Sequence, residues 1–152
     1  MSIRLSEDEA WDYVSSAVTG VLTTLRRDGF PVPLPVWFVA IDRGIYLRTP
    51  ITSKKVRRVE HDGRAAFLVE GGERWTELKA VSMVGRAVVV ADVELREMAA
   101  RLLREKYQSR RVRRENLPSA AVKHYATGEA IIGFTPDRLL SWDNARVGPR
   151  RD

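Results

Sequence analysis

The spacing of apolar positions changes several times along the chain, and each change marks a predicted element. From residue 6 to 17, apolar residues recur every three or four positions behind a Ser6/Glu9 capping box, which predicts an amphipathic helix. After Gly20 the pattern is typical of short strands. These strands are predicted at 21–26, 34–41 and 45–48, with turns at 27–29 and 42–44.

The second half of the chain has longer predicted elements. A basic helix at about 53–61 precedes strands at 65–70 and 75–91, and the longer strand contains a bulge near Gly85. A long helix then runs from an Asp92 N-cap to about Tyr107. The remaining predicted elements are a short helix at 118–125 and two strands at 129–134 and 139–142.

These elements together indicate one α+β domain, mainly antiparallel β, in which short strands form a small barrel with helices inserted between them. The prediction is a single domain over residues 1–144, followed by a flexible C-terminal tail at 145–152. At 152 residues, the chain is long enough for one domain with its own hydrophobic core.

The composition excludes several kinds of site and of protein. The chain has no cysteine, which excludes disulfides, thiolate metal sites and cysteine nucleophiles and fits a cytoplasmic location. The N-terminus shows no basic segment followed by an apolar stretch, so no signal peptide is predicted. The longest apolar run, at 32–41, contains two prolines and is too short to span a bilayer. We therefore expect a soluble cytoplasmic protein with no membrane partner.

The formal net charge of +6 favours anionic partners, such as phosphorylated cofactors or nucleic acid. The basic run from Arg110 to Arg114 is the candidate contact for nucleic acid. No aromatic residue interleaves with its arginines, however, and no recognised nucleic-acid-binding motif is present. We expect no nucleic-acid partner.

The most specific chemical signal lies in the stretch from Thr49 to Arg58. Ser53 is the predicted N-cap of the basic helix. Four cations follow in its first two turns, namely Lys54, Lys55, Arg57 and Arg58. They lie where the helix dipole is already positive, and like-charge neighbours at helical spacing cost roughly 0.2–0.5 kcal/mol per pair. A bound anion, such as a phosphate, would make this arrangement favourable. The alternative is a solvated basic face, and the pattern alone leaves both open.

No catalytic constellation is visible in the sequence. His61 and His124 have no carboxylate and nucleophile at useful spacing, and there is no phosphate-binding Gly-rich loop ending in Lys-Ser/Thr. A dinucleotide-binding Gly-x-Gly-x-x-Gly fingerprint is missing as well. We therefore predict no catalytic side chain and no metal ligand, and any nucleotide-like cofactor must be held in another way.

The order of several motifs resembles that of the pyridoxamine 5′-phosphate oxidase-like split-barrel flavoproteins. The motifs are the strand Pro35-Val36-Trp37-Phe38, an Asp-x-Gly turn, a strand ending in Thr49, then Ser53-Lys54-Lys55, Asp62-Gly63-Arg64-Ala65-Ala66 and Val81-Ser82-Met83-Val84-Gly85-Arg86-Ala87. The resemblance covers roughly residues 19–91, and Trp142-Asp143 fits the last strand of the family. It implies a split β-barrel with peripheral helices.

The resemblance also implies roles for individual residues. Thr49, Ser53, Lys54 and Lys55 occupy the places that bind the cofactor phosphate, with Arg58 on the same helix. The segment of Pro35, Val36, Trp37 and Phe38 would lie along the cofactor ring and offer backbone N–H and C=O groups to its polar edge. Members of the family are usually homodimers with cofactor sites at the subunit interface. Lys79 and Trp142 would then reach the cofactor of the partner.

Departures from the oxidase pattern point away from vitamin B6 oxidation. Ala80 stands where the oxidase has a glutamine, and the oxidase's C-terminal substrate segment is not reproduced at 139–144. The Pro-Val-Trp-Phe strand and the segment from Glu77 to Val81 look more like the actinobacterial branch that binds the deazaflavin coenzyme F420.

The expected function is therefore an F420-dependent oxidoreductase that transfers a hydride between the deazaflavin and a small organic substrate. The alternatives are an FMN-dependent oxidoreductase of the same fold and a non-catalytic flavin- or deazaflavin-binding protein. The deazaflavin carries an anionic oligoglutamate tail. The Arg110–Arg114 run is either its partner or a solvated loop.

Overall fold

A computed structural model describes residues 2–148 of the chain, which form a single curled antiparallel sheet with helices around it. The strands are β1 (Gly20–Leu25), β2 (Pro31–Val36), β3 (Val39–Ile41), β4 (Gly44–Pro50), β5 (Arg64–Gly71), β6 (Lys79–Val89) and β7 (Glu129–Asp143). The α-helices are α1 (Glu7–Ser16), α2 (Lys54–His61), α3 (Val93–Tyr107) and α4 (Ser119–Ala126). The strand order in the sheet is β2-β1-β5-β6-β7-β4-β3. The predicted α+β split barrel is confirmed.

The interior of the curled sheet holds the main core. The rings of Phe38, Phe67 and Phe134 contact one another there, with Phe38 and Phe67 in an edge-to-face arrangement at 4.9 Å between ring centroids. Helix α1 closes one side of this core with Trp11 and Val14. Its predicted capping box is present, because Ser6 and Glu9 each accept a backbone N–H from the other.

The predicted strand at 34–41 is wrong, because the chain breaks at Trp37 and Phe38 to give β2 and β3. These two strands lie at opposite edges of the sheet. Val36 and Val39 are three Cα steps apart, which allows at most about 11 Å between them. The two edges must therefore approach each other, and the sheet curls into a half-barrel. No local pattern marks the break, because the residue that bonds to it is Tyr107 of α3.

Two other strand predictions are corrected by the pairing of β6 with β7. Residues 75–77 form a 3-10 helix, so β6 begins only at Lys79. The two strands predicted at 129–134 and 139–142 are one continuous strand, β7. Its Pro136 lies opposite the irregularity at Val84/Gly85, where a strand tolerates proline. The register shift lies near Gly85, as predicted, but the unpaired residue is Asp137 of β7 rather than a residue of β6. A Cβ at Gly85 would overlap the backbone of Thr135 and Pro136.

The outer face of the sheet is only partly covered. Helix α3 packs Ala99, Leu103 and Tyr107 on the end formed by β3, β4 and β7. Helices α1 and α2 contact β1 or β6 through the main core, so the outer face of β1, β5, β6 and the second half of β7 keeps exposed apolar residues such as Val84 and Leu140.

The chain after β7 turns back onto α1. Asn144–Arg146 form a 3-10 helix, and Arg146 donates to Glu9 at 2.7 Å and to the Arg4 carbonyl oxygen at 3.1 Å. The first residues of the predicted tail are therefore held against the domain, whereas its residues 149–152 lie outside the described part of the chain. No helix within residues 2–148 has the length and apolar character needed to cross a membrane.

Candidate cofactor-binding site

The corner between β4 and α2 concentrates hydrogen-bond donors. Thr49, 5% exposed near the end of β4, donates its hydroxyl hydrogen to the Ser53 Oγ atom at 3.1 Å. Ser53 is the N-cap of α2, as predicted, and its Oγ also accepts the Val56 N–H at 3.3 Å. Because this oxygen already accepts two hydrogen bonds, the Ser53 hydroxyl hydrogen points elsewhere. The N–H groups of Lys54 and Lys55 have no intrahelical partner at this end of the helix. The corner thus presents three donors to an anion.

The cations of α2 outnumber its single carboxylate, Glu60. The first turn contains no acidic residue, and none of the four α2 cations predicted to face an anion forms an ion pair with a described residue. Lys55 is half-buried. Burial lowers the pKa of its ammonium group, and the charge of Arg58 lowers it further. A bound phosphate would offset both effects.

Arg58 is fixed by a residue that the sequence did not single out. Its Nε donates to the Oγ1 atom of Thr24 in β1 at 2.8 Å, and burial lowers the pKa of its guanidinium group. Thr24 is itself 1% exposed and faces the interior side of the sheet. The contact therefore ties α2 to the β1–β2 hairpin and orients one cation of the site.

An open groove of about 990 Å³ continues from this corner along α2. Lys54, Arg57, Arg58 and His61 line it from the helix, and Arg26 and Arg27 line it from the β1–β2 turn; the other lining residues are Leu25, Val32 and Glu60. Arg26 is paired with Asp28 at 2.6 Å. We call this surface the basic groove. Sequence reasoning missed its hairpin half, because only the fold brings Arg26 and Arg27 to α2.

The predicted ring-binding segment lies at the break between β2 and β3. Pro35 has no N–H, and the Phe38 N–H donates to the Tyr107 hydroxyl oxygen at 2.9 Å. Lys106 donates to the Phe38 carbonyl oxygen at 2.9 Å. Val36 pairs with Gly20, and because the alternating prolines of β2 have no N–H, its amide hydrogen belongs to the β1–β2 ladder. The amide hydrogen of this segment that is still open to a ligand is therefore that of Trp37. The predicted use of the Phe38 backbone would require Tyr107 and Lys106 to release it.

Side chains at this break form an aromatic cluster. Trp37 stacks on Tyr107 with 4.4 Å between centroids and 3° between planes, and it remains 39% exposed. Lys106 lies over the Phe38 ring at 4.2 Å. Burial, with repulsion from Arg110, lowers the pKa of Lys106 to about 8. Phe38 is buried in the core, so its side chain is not part of a ligand surface.

Lys79 and Trp142 lie at the far end of the molecule from the Thr49 corner. Thr49 pairs with Ala130 near the start of β7, whereas Lys79 and Ala80 pair with Asp143 and Trp142 at its end. Roughly 40 Å of extended strand separates the two places. Lys79 contacts Asp143 at 3.6 Å and lies over the Tyr13 ring at 4.8 Å. Within one chain, the fold does not bring these two predicted residues to the α2 site.

The chain also matches a known family. A family model described as pyridoxamine 5′-phosphate oxidase matches residues 6–143. The chain belongs to this family. The match covers α1 to the end of β7, so the predicted family membership is confirmed. No protein with a curated description is significantly similar to the chain.

Solved structures share the fold along almost the whole chain. A conserved hypothetical protein from Mycobacterium tuberculosis is 29% identical, with a TM-score of 0.81 over 99% of this chain and 92% of that one. A FAD-binding protein from Mesorhizobium loti is 16% identical, with a TM-score of 0.69 over 91% and 94% of the two chains. The FAD binding protein from Mycobacterium smegmatis is 20% identical, with a TM-score of 0.61 over 91% and 94%.

Proposed function

We propose that the protein is an oxidoreductase that binds a phosphorylated flavin-type cofactor at the β4–α2 corner, with coenzyme F420 as the first choice and FMN as the alternative. The observation that carries the proposal is Lys55, a half-buried cation without an ion-pair partner among the described residues, next to the free donors of the Ser53 N-cap. Phosphate fits this donor set, because a helix N-terminus and its cations both favour an oxyanion.

Two comparisons support a flavin-type ring. The matching family is described as pyridoxamine 5′-phosphate oxidase, and two structural neighbours are described as FAD-binding proteins. In this chain Ser53, Lys54, Lys55 and Arg58 would hold the phosphate, and Thr49 would orient the Ser53 hydroxyl toward it. The segment of Pro35, Val36, Trp37 and Phe38 would lie along the ring, with the Trp37 N–H as the donor open to it.

The basic groove favours a cofactor with an anionic extension beyond its first phosphate. Most of the residues that line the groove are cationic, and two of them, Lys54 and Arg58, also belong to the proposed phosphate site at the β4–α2 corner. FMN has no group that reaches beyond its phosphate, whereas the deazaflavin carries an oligoglutamate tail. The groove therefore favours F420, and we propose the groove, rather than the Arg110–Arg114 run, as the position of the tail.

When bound, a reduced deazaflavin or flavin supplies a hydride to the substrate. The chain's own residues would orient the cofactor through its phosphate and ring edge and would exclude water from one ring face. We propose no protein nucleophile. The cytoplasmic location expected from the sequence belongs to the same proposal.

A homodimer is part of this proposal. Apolar side chains from neighbouring strands share the uncovered outer face of the sheet, namely Val21, Leu68, Val84 and Leu140. Val84 and Leu140 are at least half exposed, which is typical of an interaction surface rather than of a solvated sheet. In a dimer, Lys79 and Trp142 would approach the cofactor of the second copy.

A binding titration of the purified protein with F420 and with FMN, followed by absorbance and fluorescence, tests the cofactor. We expect F420 to bind at least about ten-fold more tightly, because only F420 fills the basic groove. Tight FMN binding without measurable F420 affinity would contradict the first choice and leave the alternative. Failure of both would contradict the site.

A non-catalytic binding protein is the second candidate, because no described side chain is singled out for proton transfer. Reoxidation of the reduced cofactor with a panel of quinones, enones and tetrapyrroles separates the two. Turnover with any of them supports an enzyme. Tight binding without turnover across the panel favours the binding protein.

A further inference from the structure

A second concavity, separate from the basic groove, lies between α4 and the loop that leads into it. It has a volume of about 500 Å³ and is lined by Val112, Arg114, Leu117, Val122 and Ala126. We call it the α4 pocket. Its size falls within the range of small-molecule sites, which are typically concave, mostly apolar and supplied with few polar groups. Among the described residues that line it, four apolar side chains and one guanidinium group match this description.

The wall of the α4 pocket is built by local hydrogen bonds. Arg114–Asn116 form a 3-10 helix, in which the Asn116 N–H donates to the Arg113 carbonyl oxygen at 2.8 Å and the Leu117 N–H to that of Arg114 at 3.2 Å. The Val122 N–H donates to the Pro118 carbonyl oxygen at 3.1 Å and begins α4. Apolar and cationic residues are thereby held on one short stretch of backbone.

The apolar part of the wall is open to solvent. Val112 is 61% exposed, although it lies within the most arginine-rich run of the chain, and Leu117 and Val122 are only half-buried. When an apolar ligand group displaces water from exposed apolar surface in a concavity, the free energy of binding becomes more favourable. This feature favours a ligand with an apolar body.

The charge at the pocket is uncompensated. Arg114 has no ion-pair partner among the described residues, whereas its neighbour Arg113 is paired with Glu115 at 3.7 Å. Arg110 and Arg111 add positive charge on the same loop, so the local potential attracts an anion to Arg114. A guanidinium group binds a carboxylate or sulfonate through two parallel hydrogen bonds.

We propose that the α4 pocket binds an amphipathic organic anion, whose apolar body contacts Val112, Leu117 and Val122 and whose single carboxylate or sulfonate pairs with Arg114. An uncharged apolar ligand would leave the arginine unpaired. A fully polar anion would leave the apolar wall exposed. Only a ligand with both parts satisfies both features of the pocket.

The pocket adjoins the β4–α2 corner without sharing residues with it. After α4, the Thr127 hydroxyl lies 3.4 Å from that of Thr52, and the Ile51 N–H donates to the Gly128 carbonyl oxygen at 3.0 Å. The proposal rests on the pocket's own lining and does not require the flavin-type cofactor. It can therefore be tested on the cofactor-free protein.

The test measures binding of octanoate, octanol and octylamine to the purified, cofactor-free chain by calorimetry and by amide chemical shifts in the 110–127 region. Triglutamate serves as a polar anion. We expect octanoate to bind at least about ten-fold more tightly than the other three, with shifts centred on the lining residues. The Arg114→Met variant should reduce octanoate affinity to that of octanol, while Arg113→Met, one position away, should leave it unchanged.

Each contrary result would overturn a stated part of the proposal. If octanol bound as tightly as octanoate, Arg114 would have no role in binding. If triglutamate bound as tightly as octanoate, the apolar wall would have none. An equal loss in the two arginine variants would indicate a diffuse basic loop rather than a site. Absence of binding by all four probes would reject the pocket. None of these results bears on the cofactor titration, which probes the β4–α2 corner.

Discussion

Helices α1 and α2 both begin with a serine N-cap, yet their first turns have opposite charge. Helix α1 continues with Glu7, Asp8 and Glu9, and Glu9 completes a capping box with Ser6. Helix α2 continues with Lys54 and Lys55 and has no acidic residue in its first turn. Carboxylates stabilise a helix N-terminus, and cations there destabilise it. One helix is therefore optimised for its own stability, and the other is not.

The surroundings of the two helices repeat this contrast. The first-turn carboxylates of α1 already have cationic partners, because Arg43 contacts Glu7 at 2.7 Å and Asp8 at 2.6 Å and Arg146 contacts Glu9 at 2.7 Å. Lys54 and Lys55 of α2 have no carboxylate partner within the described chain. The contrast shows that the first turn of α2 lacks the counter-charges that α1 has, which is the arrangement that the proposed phosphate site would require.

The largest expected effect comes from reversing the half-buried charge of α2. Lys55→Glu should weaken cofactor binding by about 100-fold or more, since it replaces a charge-assisted hydrogen bond to phosphate with repulsion. Equilibrium titration with the preferred cofactor measures the loss. Arg96→Glu on the exposed side of α3 changes the net charge equally and should keep full affinity. Unchanged affinity in Lys55→Glu would show that the phosphate lies elsewhere.

The two serine caps allow a matched pair of variants. Ser6→Ala and Ser53→Ala should each lower the free energy of unfolding by about 1 kcal/mol, because each removes an N-cap. Only Ser53→Ala should also weaken cofactor binding, by about ten-fold, since its hydroxyl hydrogen is a donor of the proposed site. Urea unfolding and cofactor titration measure the two effects. A loss of affinity in both variants would mean that affinity follows stability rather than the site.

A charge reversal at Lys54 should change stability and cofactor affinity in opposite directions. Lys54→Glu should raise the free energy of unfolding of the cofactor-free protein by about 0.5 kcal/mol, because a carboxylate in the first turn of α2 suits the dipole as those of α1 do. The same variant should bind cofactor more weakly. Urea midpoints of the cofactor-free protein check the first effect. A decrease in stability would indicate that the α2 cations stabilise the fold through contacts of their own.

The smallest expected effect is the pH dependence that Glu9 of α1 contributes to stability. The N–H of Ser6 and the guanidinium group of Arg146 lower the pKa of Glu9 to about 2. A carboxylate whose pKa is lower in the folded state stabilises the fold above its unfolded value, near 4.5, and loses that contribution as the pH falls toward 2. Glu9→Gln should therefore flatten the decline in stability between pH 5 and pH 2. An identical decline in the variant would assign it to other carboxylates.

Local patterns predicted the parts of the site that depend on one short segment. The Ser53 cap and the following lysines lie within three residues, so helix capping and charge spacing were enough to find them. The same holds for the Ser6/Glu9 capping box and for the register shift near Gly85.

Features that depend on distant residues were missed. The break at Trp37 is fixed by Tyr107, which lies at the end of α3. The continuity of β7 through Pro136 depends on the irregular pairing of β6. The basic groove needs the β1–β2 turn beside α2, and Thr24 becomes part of the site only when Arg58 contacts it. In each case, the sequence around one of the two interacting segments has no pattern that predicts the contact.

The crossing at Trp37 and Phe38 has a consequence for the cooperativity of the sheet. Edge strands usually fray first, because they have a neighbour on one side only. Here both edge strands belong to one continuous stretch of chain, so neither can leave the sheet without pulling on the other. The hydrogen bonds that the Phe38 backbone forms with Tyr107 and Lys106 hold that stretch in place. The barrel should therefore open as a unit, with its two edges released together.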